Sequence, residues 1–211
     1  VAETHALSRP VLLERALLLT LATLGWNVVE GVVALTAAAA SGSVALLGFG
    51  VDSAVESASA AVMLWRLSVE RRGARSHREV EALDRRAHRL IGLTLLLLAA
   101  FIAWEAAGAL VRQERPEPSA VGMALTTASL LVMVGLARAK RRTAAALGSR
   151  AMQADAFQTT ACWWLSLITL GGIGLNAAFG LWWADPLAAL GMTALLVKEG
   201  REGLKGEACC G

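Results

Sequence analysis

Six apolar windows, several of them about 20 residues long, leave this chain little choice of fold. They cover residues 16–38, 43–65, 90–111, 120–137, 151–175 and 184–197. In hydrocarbon every backbone N–H and C=O must find a partner inside its own segment or in a closed barrel. Windows of this length therefore predict helices, and the fold class is all-α: a polytopic membrane protein built as a bundle of six transmembrane helices. The composition agrees, being 56% hydrophobic with a mean hydropathy of +0.55, too apolar for an ordinary soluble domain. We read residues 1–205 as one transport-sized membrane domain and 206–211 as a short cytoplasmic tail carrying Cys209 and Cys210.

The basic residues orient the bundle. Of 20 Lys and Arg, 18 fall at the termini and in the second-to-third and fourth-to-fifth connections, and only Arg112 and Arg115 fall on the other side. The positive-inside rule then places both termini in the cytoplasm of a cell inner (plasma) membrane. This asymmetry accounts for the pI of about 9.1 and removes nucleic acid as an expected partner. Trp182 and Trp183 stand where indoles favour the interface, and Asp185–Pro186 is a good helix start. The Arg-rich segment 68–89 is expected to lie as a helix on the membrane surface, with His77 and His88 solvent-exposed.

Polar groups inside the windows carry the functional reading. Asp52 and Glu56 stand four apart in the second window, Asn27 and Glu30 three apart in the first, and Asp155, Gln158 and Cys162 at helical spacing in the fifth; Glu105 lies in the third. Each set shares one helical face. A carboxylate at mid-membrane costs on the order of 3 kcal/mol or more, and two on one face repel. No Lys or Arg lies inside any window, so no internal salt bridge is expected, and a visiting cation or proton is the natural partner. With a rise of about 1.5 Å per residue and a core of about 30 Å, Asp52 and Cys162 come out at one depth and Glu56 and Gln158 at another. Antiparallel neighbours would bring the four together. Two carboxylates, a thiolate and an amide oxygen can hold a divalent cation, and the thiolate favours zinc, cadmium, cobalt, iron or copper(I) over magnesium and calcium. Taken singly, Cys162 would read as a small buried hydrophobe and Gln158 as interhelical glue; the Asp52–Glu56 pair is the part that points to a metal.

The stretch 42–56, ending Val-Asp52-Ser-Ala-Val-Glu56, resembles the second helix of the cation diffusion facilitator family. Residues 154–162, Ala-Asp-Ala-Phe-Gln158-Thr-Thr-Ala-Cys162, resemble the fifth, and 183–190, Trp-Ala-Asp-Pro-Leu-Ala-Ala-Leu, the opening of the sixth. The resemblance implies a six-helix transmembrane domain that exports divalent metal from the cytoplasm in exchange for protons, commonly as a homodimer. It implies metal ligands at Asp52, Glu56, Gln158 and Cys162, with Glu30, Asn27 and Asp155 as auxiliaries. The common family pattern has His and Asp where Gln158 and Cys162 stand here. The sequence also resembles the short branch of the family that lacks the cytoplasmic C-terminal domain. The expected function is proton-coupled efflux of Zn2+ or a similar transition metal by alternating access, with no permanent cofactor and with Cd2+, Co2+ and Fe2+ as other cargoes.

Two other classes stay open at this level. One is a non-transporting membrane subunit or scaffold whose acids serve packing. The other is a small proton-coupled exporter of organic cations, with Trp26, Trp163 and Trp164 around the substrate. An enzyme is not expected: H-E-x-x-H and G-x-S-x-G are absent, and no histidine lies in a window.

Overall fold

The computed structural model describes residues 8–41, 44–72, 76–113 and 120–205. Six helices account for almost all of them: α1 Arg9–Ser41, α2 Val44–Arg72, α3 His77–Arg112, α4 Ala120–Leu147, α5 Arg150–Phe179 and α6 Ala184–Lys205. The bundle is all-α and polytopic, as the windows predict. α1, α3 and α4 are by themselves apolar and long enough to cross a membrane. α2, α5 and α6 span 29, 30 and 22 residues, and α2 and α5 carry the polar groups that interest us.

The chain packs as a ring. α1 lies on α2, α2 on α3, α3 on α6, α6 on α5, α5 on α4, and α4 closes back onto α1. α5 also crosses the interior to touch α2 and α3. The residue pattern is inverted relative to a soluble bundle. Large apolar side chains such as Leu18, Val29, Val32, Leu97 and Leu131 face outward, while Thr20, Asn27, Glu30, Ser59 and Ser166 are buried. Polar groups in a lipid solvent belong in the bundle interior, and an apolar exterior around them is the expected arrangement.

Two apolar clusters hold the ring. One joins Leu13, Ala16, Met63, Leu67, Ile91 and Met152. The other joins Leu95, Leu98, Ile102, Ala161, Met192 and Leu196. The α3–α6 crossing is very close. A Cβ on Gly92 would stand 2.8 Å from the Gly200 carbonyl oxygen, and one on Gly203 would stand 2.9 Å from the Gly92 Cα. Small residues that let backbones touch are the usual currency of helix association in lipid.

The helices outrun the windows at the Arg-rich end. α4 continues ten residues past Ala137 to Leu147, and α3 begins at His77 rather than Leu90. The segment 68–89 is therefore not a separate surface helix. Its first residues prolong α2, and from His77 onward it is the start of α3, opened by a capping box between Ser76 and Glu79. His88 is buried there rather than exposed. α4 and α5 are joined by Gly148 and Ser149 alone. Gly148 takes φ +64°, which glycine adopts without strain, and Ser149 caps α5 by accepting the Met152 N–H at 3.1 Å.

Candidate metal centre

The inner face of α2 is a heptad-like stripe: Asp52, Glu56, Ser59, Met63, Arg66 and Glu70, alternating steps of four and three, all buried. Such spacing keeps one line of side chains on the partner helix. α5 presents Asp155, Gln158, Thr159, Cys162 and Ser166 in the same manner, all likewise buried. The two helices run antiparallel, and a long hydrogen bond from Ser59 Oγ to Asp155 Oδ1 (3.4 Å) marks their register. Glu56 stands three residues before Ser59 and Gln158 three after Asp155. Asp52 stands seven before and Cys162 seven after. This register sets Glu56 level with Gln158 and Asp52 level with Cys162, the pairing expected from depth alone.

Local interactions follow that register. The Cys162 thiol lies beside both Asp52 and Glu56, and Thr159 beside Glu56. Gln158 turns partly toward α3, its Oε1 accepting from Thr94 Oγ1 at 3.3 Å, while its Nε2 has no partner among the described residues. Both Glu56 oxygens and Asp52 Oδ1 are buried without a hydrogen bond among the described residues. Among the described residues, no three of His, Cys, Asp and Glu are drawn close enough together to form a ready-made metal cage. The side chains lie at two adjacent levels on facing sides of α2 and α5.

Glu30 and Asn27 extend the polar interior onto α1. Both are 1% exposed, and among the described residues neither side chain has a hydrogen-bond partner. Glu30 lies near Ser53 of α2 and Ser129 of α4 and within electrostatic reach of Asp52 and Glu56. Glu105, by contrast, is only partly buried on α3.

Asp155 is differently placed from the other acids. Its Oδ2 is 2.8 Å from Lys140 Nζ, and the two side chains are 1% and 0% exposed. Lys140 also donates to Thr159 Oγ1 at 3.1 Å. An internal salt bridge thus exists, contrary to the expectation from the windows. The reason is the length of α4, which carries Lys140 inward on the face of Ser129, Met133, Ala137, Ala144 and Leu147.

A second charged group at the Arg-rich end also escaped sequence reasoning. Arg66, 1% exposed, pairs with Glu70 at 2.8 Å and with Asp84 of α3 at 3.0 Å. Arg9 of α1 closes on Glu70 at 2.6 Å. Asp84 in turn accepts from Ser149 Oγ at 2.6 Å and from the Arg150 N–H at 2.8 Å, so a carboxylate from α3 sits on the N-terminus of α5. Four helices meet in this network. Cys209 and Cys210 lie outside the described residues.

Residues 20–206 match the family model described as the Cation efflux transmembrane domain. The chain is also 31% identical over 163 residues to an uncharacterized transporter of Synechocystis sp.. That similarity covers 75% of this chain and 52% of the relative, so the chain spans about half the length of the curated relative it matches. With six helices in the expected order and a family match over most of its length, the chain belongs to the cation efflux family.

Proposed function

We propose that this protein moves a divalent transition-metal ion, Zn2+ first among them, out of the cytoplasm in exchange for protons. The single observation that carries the reading is the antiparallel register of α2 and α5. It supports a reading in which two buried carboxylates, Asp52 and Glu56, face a thiol and an amide at two adjacent levels, with both Glu56 oxygens and Asp52 Oδ1 lacking a hydrogen bond among the described residues. Metal approaching from the cytoplasm binds Asp52, Glu56 and Cys162, with the Gln158 amide oxygen as a fourth donor. Binding displaces protons from the thiol and a carboxyl. The bundle then rocks to open outward, and external protons refill the acids and release the ion. Antiport follows because protons and metal compete for the same lone pairs. Glu30 and Asn27 line the chamber beside the ion on α1. Two copies of the chain form the working unit, with both termini in the cytoplasm.

Thiolate in place of an oxygen donor softens the site and favours Zn2+ and Cd2+ over Mg2+ and Ca2+. The test is flux in sealed proteoliposomes carrying an internal pH dye. Zn2+, Cd2+ or Co2+ added to the side toward which the site is open should drive proton movement in the opposite direction. Asp52→Asn and Glu56→Gln should reduce this to the level of empty vesicles. Undiminished metal-driven proton flux in both variants would end the proposal.

A further inference from the structure

Lys140 is the feature of the interior that metal binding by Asp52, Glu56 and Cys162 leaves unused. A lysine is almost never fully buried unless paired. Stability alone is a weak reason for such a pair, since packed apolar residues of similar volume are often as good or better. The surroundings of the ammonium are informative. It is held by one carboxylate oxygen of Asp155 at 2.8 Å and by the hydroxyl of Thr159 at 3.1 Å, while Ser59 steadies the other Asp155 oxygen from α2. Asp155 stands three residues before Gln158, about 4.5 Å along the helix axis. Glu56, whose oxygens have no hydrogen-bond partner among the described residues, lies within electrostatic reach of both Lys140 and Asp155. The ammonium thus sits among oxygen atoms, about one helical turn toward the Arg-rich end from the Glu56–Gln158 level and about two turns from the level of the thiol.

We infer that Asp155, Thr159 and Ser59 form a second cation station on the α2–α5 face and that Lys140 is its resident cation. The tethered ammonium keeps a second divalent ion from settling beside the first, and it keeps Asp155 out of the ligand set. Oxygen-only donors define the class of ion the station takes once Lys140 is removed. It is a hard divalent cation such as Mn2+, distinct from the soft ions favoured by Cys162. The inference rests on the proposed transport reading only for its place beside the metal path.

The experiment uses the full chain in lipid nanodiscs and Mn2+ alone as the probe, counted by equilibrium dialysis. Lys140→Gln keeps a hydrogen-bond donor beside Asp155 and removes the charge. It should hold one more Mn2+ per chain than the wild type. Lys140→Arg should match the wild type, and Lys140→Gln combined with Asp155→Asn should lose the additional ion. Equal Mn2+ counts in Lys140→Gln and wild type would overturn the inference. If Lys140→Gln folds only when Mn2+ is present during purification, that dependence supports the station. Failure to fold with or without Mn2+, while the double variant folds, contradicts it. Cadmium–thiolate absorption on the same variants made in a Cys209→Ser, Cys210→Ser background, where Cys162 is the remaining thiol, reports the first site separately, so failure of one reading is not mistaken for failure of the other.

Discussion

Two buried polar regions share the α2 stripe and are built to opposite rules. At the Arg-rich end, Arg66, Glu70 and Asp84 are paired with one another, with Arg9 and with the start of α5. Farther along the same stripe, among the described residues, Glu56 has no hydrogen bond to either oxygen and Asp52 has none to Oδ1. Burial is equally deep in both. The difference teaches how to tell a structural charge from a functional one. Charges paired with opposite charges tie helices together; buried acids with no ion pair among the described residues are, in the proposed reading, the ones that receive a visiting cation. Lys140 with Asp155 stands at the boundary, satisfied in itself yet adjacent to the unsatisfied group.

Breaking one region should damage the fold, and breaking the other should damage transport. The largest effect is expected from Asp52→Asn combined with Glu56→Gln. Metal-driven proton flux should vanish, while the melting temperature stays the same or rises because the repulsion is gone. Flux and thermal unfolding measured on one preparation check both halves. Arg66→Met should do the reverse. It leaves Glu70 and Asp84 without their buried partner and should cost about 3–5 kcal/mol, read as a lower melting temperature with unchanged metal affinity in the protein that remains folded.

Smaller changes sharpen the comparison. Gly200→Val drives a side chain into the Gly92 carbonyl and the Leu96 side chain, both within 3 Å of a Cβ there. Overpacking of this kind costs about 1–3 kcal/mol, and thermal unfolding should register it without a change in ion preference. Ser149→Ala removes the cap of α5 and the hydroxyl on Asp84. A lost cap costs about 1 kcal/mol, and because α5 carries the other half of the centre, the loss should leave ion preference intact while lowering stability. Cys162→Asp adds a buried carboxylate beside Asp52 and Glu56; it should lower the melting temperature of the metal-free protein and move preference from Cd2+ toward Mn2+, measured as a ratio of affinities.

Much of this was legible in the sequence because the membrane imposes one dominant pattern. Apolar windows located six helices, and the spacing of Asp52 with Glu56 and of Gln158 with Cys162 put each pair on one face. Their common depth followed from rise per residue alone, and the Ser59–Asp155 register agrees with it. What hydropathy could not see was the helix beyond the hydrocarbon. Arg138, Lys140, Arg141 and Arg142 read as one basic loop, yet α4 runs on to Leu147 and turns Lys140 inward while Arg141 stays exposed. A signal was present, since Met133, Ala137, Lys140, Ala144 and Leu147 repeat at helical spacing and Lys140 is the charged member of that line. Arg66, Glu70 and Asp84 were hidden in the same way. They lie at helix ends rich in exposed charge, and only the packing of α2, α3 and α5 shows which of those charges face inward.

The most direct measurement of the central claim is the cadmium–thiolate absorption band of a Cys209→Ser, Cys210→Ser protein, in which Cys162 on α5 is the remaining thiol. The account predicts a saturable band on Cd2+ addition that weakens by at least about tenfold in affinity, roughly 1.4 kcal/mol, when either Asp52 or Glu56 on α2 is neutralised. A band of unchanged affinity in Asp52→Asn and Glu56→Gln, or no band in the parent, would contradict the convergence of the two helices on one ion.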